Sequence, residues 1–197
     1  MRKPFTWTCH PELRSRIDEL NRLLASGLLD FVGYLGCLIG MKLMERFLVD
    51  RMLGKLAKWL RVLGYDTVYL KRAGDEEILT GLKEGRILIT RNRRGHPWLK
   101  WGRVLVINAN DPQEQLQQVV QQLGMQMVEA ALFSRCLECN LVLTQLSKEE
   151  ALGEVPDYVL QTHSEFWHCP GCRRVFWAGS HSEKMRKRLE EVFVRLR

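Results

Sequence analysis

The chain has 197 residues, of which 46% are hydrophobic, and its 30 Lys and Arg against 23 Asp and Glu give a net charge of +7. This length allows one medium domain, or one domain with a small module, and the apolar content excludes a chain too polar to form a core. Residues 44 to 111 hold 14 of the basic and 8 of the acidic residues, so the positive charge is concentrated there. Such a field favours polyanionic partners, either nucleic acid or an acidic membrane surface.

The first forty residues carry no motif with a chemical role. No apolar stretch closely follows the basic N-terminus, so we expect no secretory signal. Residues 11–25 have the periodicity of an amphipathic helix. Residues 23–41 are almost uncharged but contain four glycines and one acid, so we expect a buried or partner-facing segment rather than a membrane span. We interpret residues 1–43 as an N-terminal helical extension that could bind a second copy or a protein partner.

Short apolar strands and amphipathic helices alternate through the next part of the chain. Strands are predicted at residues 47–49, 67–70, 87–90 and 104–107. Helices are predicted at residues 52–63, 75–84 and 112–123, and a glycine follows each of them. This alternation predicts an α/β fold with a mostly parallel sheet flanked by helices.

Polar side chains follow each predicted strand. The carboxyl ends of parallel strands meet at one edge of the sheet, where functional sites form. Carboxylates gathered at that edge are expected to hold Mg²⁺ or Mn²⁺, which binds a phosphodiester, activates a water and stabilises the leaving oxygen. The candidate catalytic residues are Asp50, Asp75, Glu76, Asn92 and Asp111.

Helix capping is the alternative role for these acids. Asp111 precedes a proline and a capping-box Glu114, so we favour a cap there. Asp75 lies at a helix start, where an acid favours the helix dipole, and both roles stay open for it. Asp50 is followed by Arg51, whose charge opposes the dipole, and we therefore favour a functional role for Asp50.

Two basic clusters are expected near these acids. One occupies an arc of about 120° on the first helix, opposite a row of leucines. The other follows the third strand and includes tryptophan. Basic and aromatic side chains together suit single-stranded nucleic acid, although a solvated helix face and core-anchoring tryptophans are the alternatives. The candidate RNA-binding residues are Arg51, Lys55, Lys58, Arg61, Arg91, Arg93, Arg94, Trp98 and Lys100.

Two CxxC pairs separated by 29 residues follow the α/β pattern. Such pairs predict a closed, structural Zn²⁺ site in a reducing compartment, the cytoplasm. We place a zinc ribbon at residues 127–181 and a basic C-terminal helix at residues 182–197. Loss of one ligand is expected to unfold the ribbon and spare the α/β domain. The predicted ligands are Cys136, Cys139, Cys169 and Cys172.

Several stretches resemble the PIN-like RNase family named after the C-terminal domain of the Mut-seven exonuclease. They are "RFLVDRMLGKLAKWLRVLGYDT", "GDEEIL", "EGRILITRN" and "NDPQEQL". The segment "VPDYVLQTHSEFWHCPGCRRVFWAGSH" resembles the zinc ribbon that follows this domain in the family. The resemblance covers about residues 44–185, and it implies a PIN-like fold for residues 44–126 and metal-dependent RNA cleavage.

By motif position, the resemblance implies that Asp50 is the first acid and that Asp75 with Glu76 forms the second. The family usually has an acid where this chain has Asn92, and often another where it has Asn110. We therefore predict a metal-dependent ribonuclease, for which we favour an endonucleolytic mode, with a ribbon that aids RNA binding. The alternatives are a non-catalytic RNA-binding or ribosome-associated adaptor with a degraded acid site, and a toxin of a toxin–antitoxin pair.

Overall fold

The computed structural model describes residues 45–72, 74–92, 100 and 102–195. The predicted N-terminal extension and three candidate RNA-binding residues, Arg93, Arg94 and Trp98, lie outside the described residues. Within the described ranges, no helix is long and apolar enough to cross a membrane.

A parallel sheet of four strands organises the first part of the described chain. The strands are β1 (Arg46–Val49), β2 (Asp66–Tyr69), β3 (Ile87–Thr90) and β4 (Val104–Val106), in the order β2-β1-β3-β4. All four residues of β3 are buried, as expected for a central strand covered on both faces. The predicted parallel α/β sheet is confirmed.

Helices cover both faces of this sheet. They are α1 (Gly54–Val62), α2 (Asp75–Lys83) and α3 (Pro112–Leu123), and a 3₁₀ turn at Arg51–Leu53 precedes α1. Helices α1 and α3 share one core with Val49 and Ile89, whereas α2 packs on the other face against Leu48 and Leu88. The chain passes from β2 across β1 to β3, so the strand order reverses between β1 and β3, the place where such sheets carry sites.

The cysteine-containing part of the chain, residues 136–176, has its own small core and is called the cysteine module below. An antiparallel sheet of β5 (Thr144–Leu146), β6 (Phe166–His168) and β7 (Val175–Phe176) packs with the short helix α4 (Asp157–Thr162) around the fully buried Phe166. The C-terminal helix α5 (Ser180–Val194) instead places Leu189 and Val192 in the core shared by α1 and α3. The boundaries drawn at residues 126/127 and 181/182 stay predictions.

Candidate functional site

Asp50 lies at the carboxyl end of β1, next to the reversal in strand order. Its Oδ1 accepts a hydrogen bond from the backbone N–H of Met52 at 2.8 Å, so Asp50 caps the 3₁₀ turn. Its Oδ2 accepts from the hydroxyl of Thr90 at 2.5 Å and from the backbone N–H of Arg91 at 3.0 Å. Three donors on two segments fix the carboxylate, and about one of its four acceptor positions stays open.

Thr90 is a site residue that the sequence analysis missed. Its side chain is buried, and its hydroxyl donates to Asp50 and accepts from the backbone N–H of Asn92 at 3.0 Å. One hydroxyl therefore links two of the predicted catalytic positions. The sequence does show a hydroxyl at the end of the apolar strand "ILIT". Threonine is also common in strands because its branched side chain packs well there, so this hydroxyl alone did not indicate a functional role.

The loop after β4 is held by a buried glutamine. Nε2 of Gln115 donates to the carbonyl oxygens of Ala109 at 3.2 Å and Asn110 at 3.1 Å. Oδ1 of Asn110 accepts in turn from the guanidinium of Arg91. These contacts join the carboxyl ends of β3 and β4 and bring Asn110 next to the segment that contacts Asp50.

The other predicted acids lie at the starts of α2 and α3. Oδ1 of Asp111 accepts from the backbone N–H of Gln113 at 2.8 Å, which confirms the predicted cap of α3. Asp75 is exposed at the start of α2, and Glu76 lines a separate depression on the sheet face opposite α1. Among the described residues, no three acids or histidines have ligand atoms within 4.8 Å of one another. The part that Asp75 and Glu76 play in a site with Asp50 therefore stays a prediction.

A basic cavity of about 580 Å³ lies beside Asp50. Its wall includes Met52 and Arg91, whose backbone N–H groups both bind the Asp50 carboxylate. Most of the remaining wall comes from helix α1, the start of α3 and the loop of residues 136–140, which carries Cys136 and Cys139 and is called the first cysteine loop below. The described charged residues that line it are Lys55, Lys58, Arg61, Lys71, Arg91 and Glu138.

The exposed basic face predicted for α1 is present in part. Lys55 and Lys58 on α1 are exposed, and so is Arg51 just before this helix. Lys100, which lies between β3 and β4, is also exposed. Arg61 needs correction, because it is only 6% exposed and its guanidinium donates to backbone carbonyls. The helical pattern placed Arg61 with the exposed cations, but the first cysteine loop packs over this end of the helix.

The four predicted zinc ligands converge. Their sulfur atoms all lie within 4.8 Å of one another, and Sγ of Cys136 is 3.7 Å from Sγ of Cys172. A tetrahedral Zn²⁺ with bonds of about 2.3 Å separates its sulfur ligands by about 3.8 Å, so the set fits this ion. It is the one group of this kind among the described residues, and histidine does not contribute to it.

Backbone N–H groups surround the sulfur atoms. Burial would raise the pKa of the Cys169 thiol, but the N–H groups of Cys172 and Gly171 outweigh burial and lower this pKa to about 7. The N–H of Cys139 approaches Sγ of Cys136 at 3.4 Å. Donors of this kind favour the thiolate form that a metal ion requires, although burial outweighs them at Cys136 and raises the pKa of that thiol.

The first cysteine loop also covers the edge strand β2. Oδ1 of Asn140 accepts from the backbone N–H of Thr67 at 2.8 Å, and Nδ2 of Asn140 donates to Asp66 at 2.6 Å. Burial opposes ionisation of Asp66, but hydrogen bonds from Arg86 and Asn140 outweigh it and hold the pKa of this carboxyl below its usual value. The candidate metal centre is thus joined directly to the sheet.

One of three comparisons with known proteins gave a match. The search of curated proteins and the search of solved structures each gave no match. The family model described as the Mut7-C RNAse domain matches residues 45–189, which include the parallel sheet, the four cysteines and most of α5. Because this match covers well over half of the chain, the protein belongs to the Mut7-C RNAse domain family.

Proposed function

We propose that the protein is a metal-dependent ribonuclease that hydrolyses phosphodiester bonds of single-stranded RNA by endonucleolytic cleavage. The observation that carries this proposal is the position of Asp50, an acid at the reversal in strand order that lies beside a basic cavity. Met52 and Arg91 belong both to the cavity wall and to the hydrogen bonds of Asp50. Membership of an RNase family supports the same reaction class.

Asp50 would anchor Mg²⁺ or Mn²⁺. Mg²⁺ needs only one or two carboxylates, because it keeps several of its waters. The open acceptor position of Asp50 fits such a site, with Asn92 next to it at the end of β3, and the parts of Asp75 and Glu76 stay predictions. A divalent cation bound there would supply an activated water and charge stabilisation at the leaving oxygen. Asp50 would fix the position of this charge, since three donors hold its carboxylate.

The basic cavity would hold the phosphates on either side of the cleaved bond. Lys55, Lys58 and Arg91 line it, and Lys71 adds a cation that the sequence analysis did not single out. The cysteine module would hold structural Zn²⁺ and aid RNA binding through its own basic residues. Four thiolate ligands favour a reducing compartment such as the cytoplasm.

A non-catalytic RNA-binding adaptor is the second candidate. It is favoured by the lack of a carboxylate cluster among the described residues and by the amides at Asn92 and Asn110. Both candidates bind RNA, so they differ in whether a divalent cation permits cleavage.

Labelled RNA and DNA incubated with Mn²⁺, Mg²⁺ or neither distinguish these candidates. We expect the wild type to cleave RNA when a cation is added, and Asp50→Asn to lose cleavage while it retains RNA binding. Asp157→Asn is the matched control, because Asp157 is an exposed acid at the start of α4 in the cysteine module. Equal cleavage by wild type and Asp50→Asn would remove Asp50 from the site. RNA binding without cleavage under any metal condition would favour the adaptor.

A further inference from the structure

One acidic side chain faces the cations of the basic cavity, and it comes from the cysteine module. Glu138 lies between the ligands Cys136 and Cys139, and its Oε1 accepts from Nζ of Lys58 at 2.5 Å. Glu138 is the only acid among the described residues that line the cavity, which otherwise carries five cations. The first cysteine loop therefore places a carboxylate in a cavity whose positive charge suits phosphate.

The backbone and the side chain of Glu138 are held differently. Its carbonyl oxygen accepts from Nη1 of the buried Arg61 at 3.1 Å, and the carbonyl of Leu137 accepts from the same atom at 2.5 Å. The side chains of Glu138 and Lys58 are 47% and 49% exposed. The loop is thus fixed against α1, whereas the ion pair is open to solvent and to competing anions. Such exposed pairs add little to stability and are displaced easily.

We propose that Glu138 competes with RNA phosphates for Lys58, so that the first cysteine loop sets the affinity of the cavity for polyanions. This inference rests on the proposed function, since it takes RNA as the polyanion. A phosphate that binds Lys58 must displace the carboxylate, whose charge also repels phosphates at neighbouring positions. A phosphodiester chain can compensate through Lys55, Lys71 and Arg91 together, whereas a single nucleotide cannot. Glu138 would therefore select polymers over mononucleotides by repulsion.

Binding of a short labelled single-stranded RNA to the full-length, zinc-loaded protein tests this inference. Affinity is measured by fluorescence anisotropy over a range of salt concentrations without added Mg²⁺ or Mn²⁺. Glu138→Gln should raise RNA affinity by roughly three- to tenfold and steepen the slope of log affinity against log salt by about 0.7, the value for one further phosphate contact on a single strand. Competition by a mononucleotide should also become stronger.

Glu129→Gln is the matched control, because Glu129 forms a similar exposed ion pair with Arg186 away from the cavity. It should change neither affinity nor salt dependence. Lys58→Gln should weaken binding only slightly in the wild type, where Lys58 is already paired, but should remove the whole gain in the Glu138→Gln background. Glu138→Ala should give the same increase as Glu138→Gln, and zinc content reports whether the loop is intact in each variant.

The outcomes separate this inference from the proposed function. Unchanged or weaker RNA binding in Glu138→Gln and Glu138→Ala, with weaker binding in Lys55→Gln, would overturn the role of Glu138 and leave the RNA site in place. RNA binding that is unaffected by Lys55→Gln and Arg91→Gln would overturn the RNA site, and the role of Glu138 with it.

Discussion

Two hydrogen bonds join Arg61 to Thr67, since Nε and Nη2 of the buried guanidinium donate to the carbonyl oxygen of Thr67 at 3.0 and 2.8 Å. The backbone N–H of Thr67 binds Asn140 in the first cysteine loop. Both backbone groups of this edge-strand residue are therefore satisfied by side chains outside the sheet. Because Arg61 also donates to Leu137, one guanidinium connects α1, β2 and the first cysteine loop. Open strand edges are usually covered in some such way.

Removal of zinc should loosen β2 as well as the cysteine module. The sequence alone suggested that the α/β domain would be spared, but Asn140 contacts Thr67 and Leu137 contacts Arg61 directly. We expect amide hydrogen exchange at Thr67 to accelerate by about tenfold or more in zinc-free protein or in Cys136→Ser, since local opening exposes this N–H. NMR or fragment-resolved mass spectrometry measures it. Unchanged protection of Thr67 after verified zinc loss would show that the two parts are independent.

Arg61→Ala should destabilise the protein by about 3 kcal/mol or more, because it leaves the carbonyls of Thr67, Leu137 and Glu138 without this buried donor. Chemical denaturation measures the loss. Lys58→Ala is the control on the exposed side of the same helix, and its exposed ion pair predicts a change of less than about 1 kcal/mol.

RNA binding distinguishes a structural Arg61 from an RNA contact. Arg61→Gln, studied under conditions where it stays folded, should keep the wild-type salt dependence, because the wild-type guanidinium is already engaged by carbonyl groups. A shallower salt slope with unchanged stability would instead return Arg61 to the RNA-binding surface.

The sequence was informative where local chemistry decides the structure. Gly64, Gly85 and Gly124 were expected to end helices, and they have φ values of +91°, +81° and +58°, which glycine adopts with little strain. Asp111 caps α3 because its side chain reaches N–H groups two and three residues ahead. The cysteine spacing was sufficient to predict the four converging ligands, because each CxxC pair places two sulfurs on one turn.

Contacts between residues far apart in the chain could not be predicted from the sequence. Arg61 has the helical phase of an exposed residue, and its burial depends on a loop 76 residues later in the chain. The pairing of Thr90 with Asp50 depends on β3 lying beside β1 rather than beside β2. The distances of the other acids from Asp50 could not be predicted either, because a shared position at a sheet edge does not fix how far each helix start lies from Asp50.

Thr90→Val should impair cleavage through the position of Asp50. The change keeps the shape of the side chain but removes the hydroxyl that donates to Asp50 and accepts from Asn92. We expect cleavage to fall by about ten- to a hundredfold, the effect of a small misplacement of a reacting group, and the Mn²⁺ concentration for half-maximal cleavage to rise. Thr67→Val is the matched control, because it removes a buried strand hydroxyl that donates to Tyr65. Similar cleavage and metal dependence in both variants would exclude a positioning role for Thr90.

Asn92→Asp should strengthen the metal site. Asn92 follows β3 at the same edge as Asp50, and its backbone N–H binds the hydroxyl that holds the Asp50 carboxylate. A carboxylate brings a full negative charge to a hard cation, whereas an amide brings only a dipole. We therefore expect Asn92→Asp to lower the Mn²⁺ or Mg²⁺ concentration needed for half-maximal cleavage.

The competing interpretation is that Asn92 contacts RNA or simply ends the strand. An added charge beside Arg91 would then weaken RNA binding and leave the metal requirement unchanged. Metal titrations of wild type and Asn92→Asp at fixed ionic strength separate the two, because phosphate contacts depend on salt. Asn110→Asp is a useful comparison, since its side chain already accepts from Arg91 and an acid there should strengthen that pair rather than the metal site. A lower metal midpoint in Asn92→Asp but not in Asn110→Asp would place the cation between Asp50 and residue 92. Weaker RNA binding with an unchanged midpoint would exclude Asn92 from the metal site.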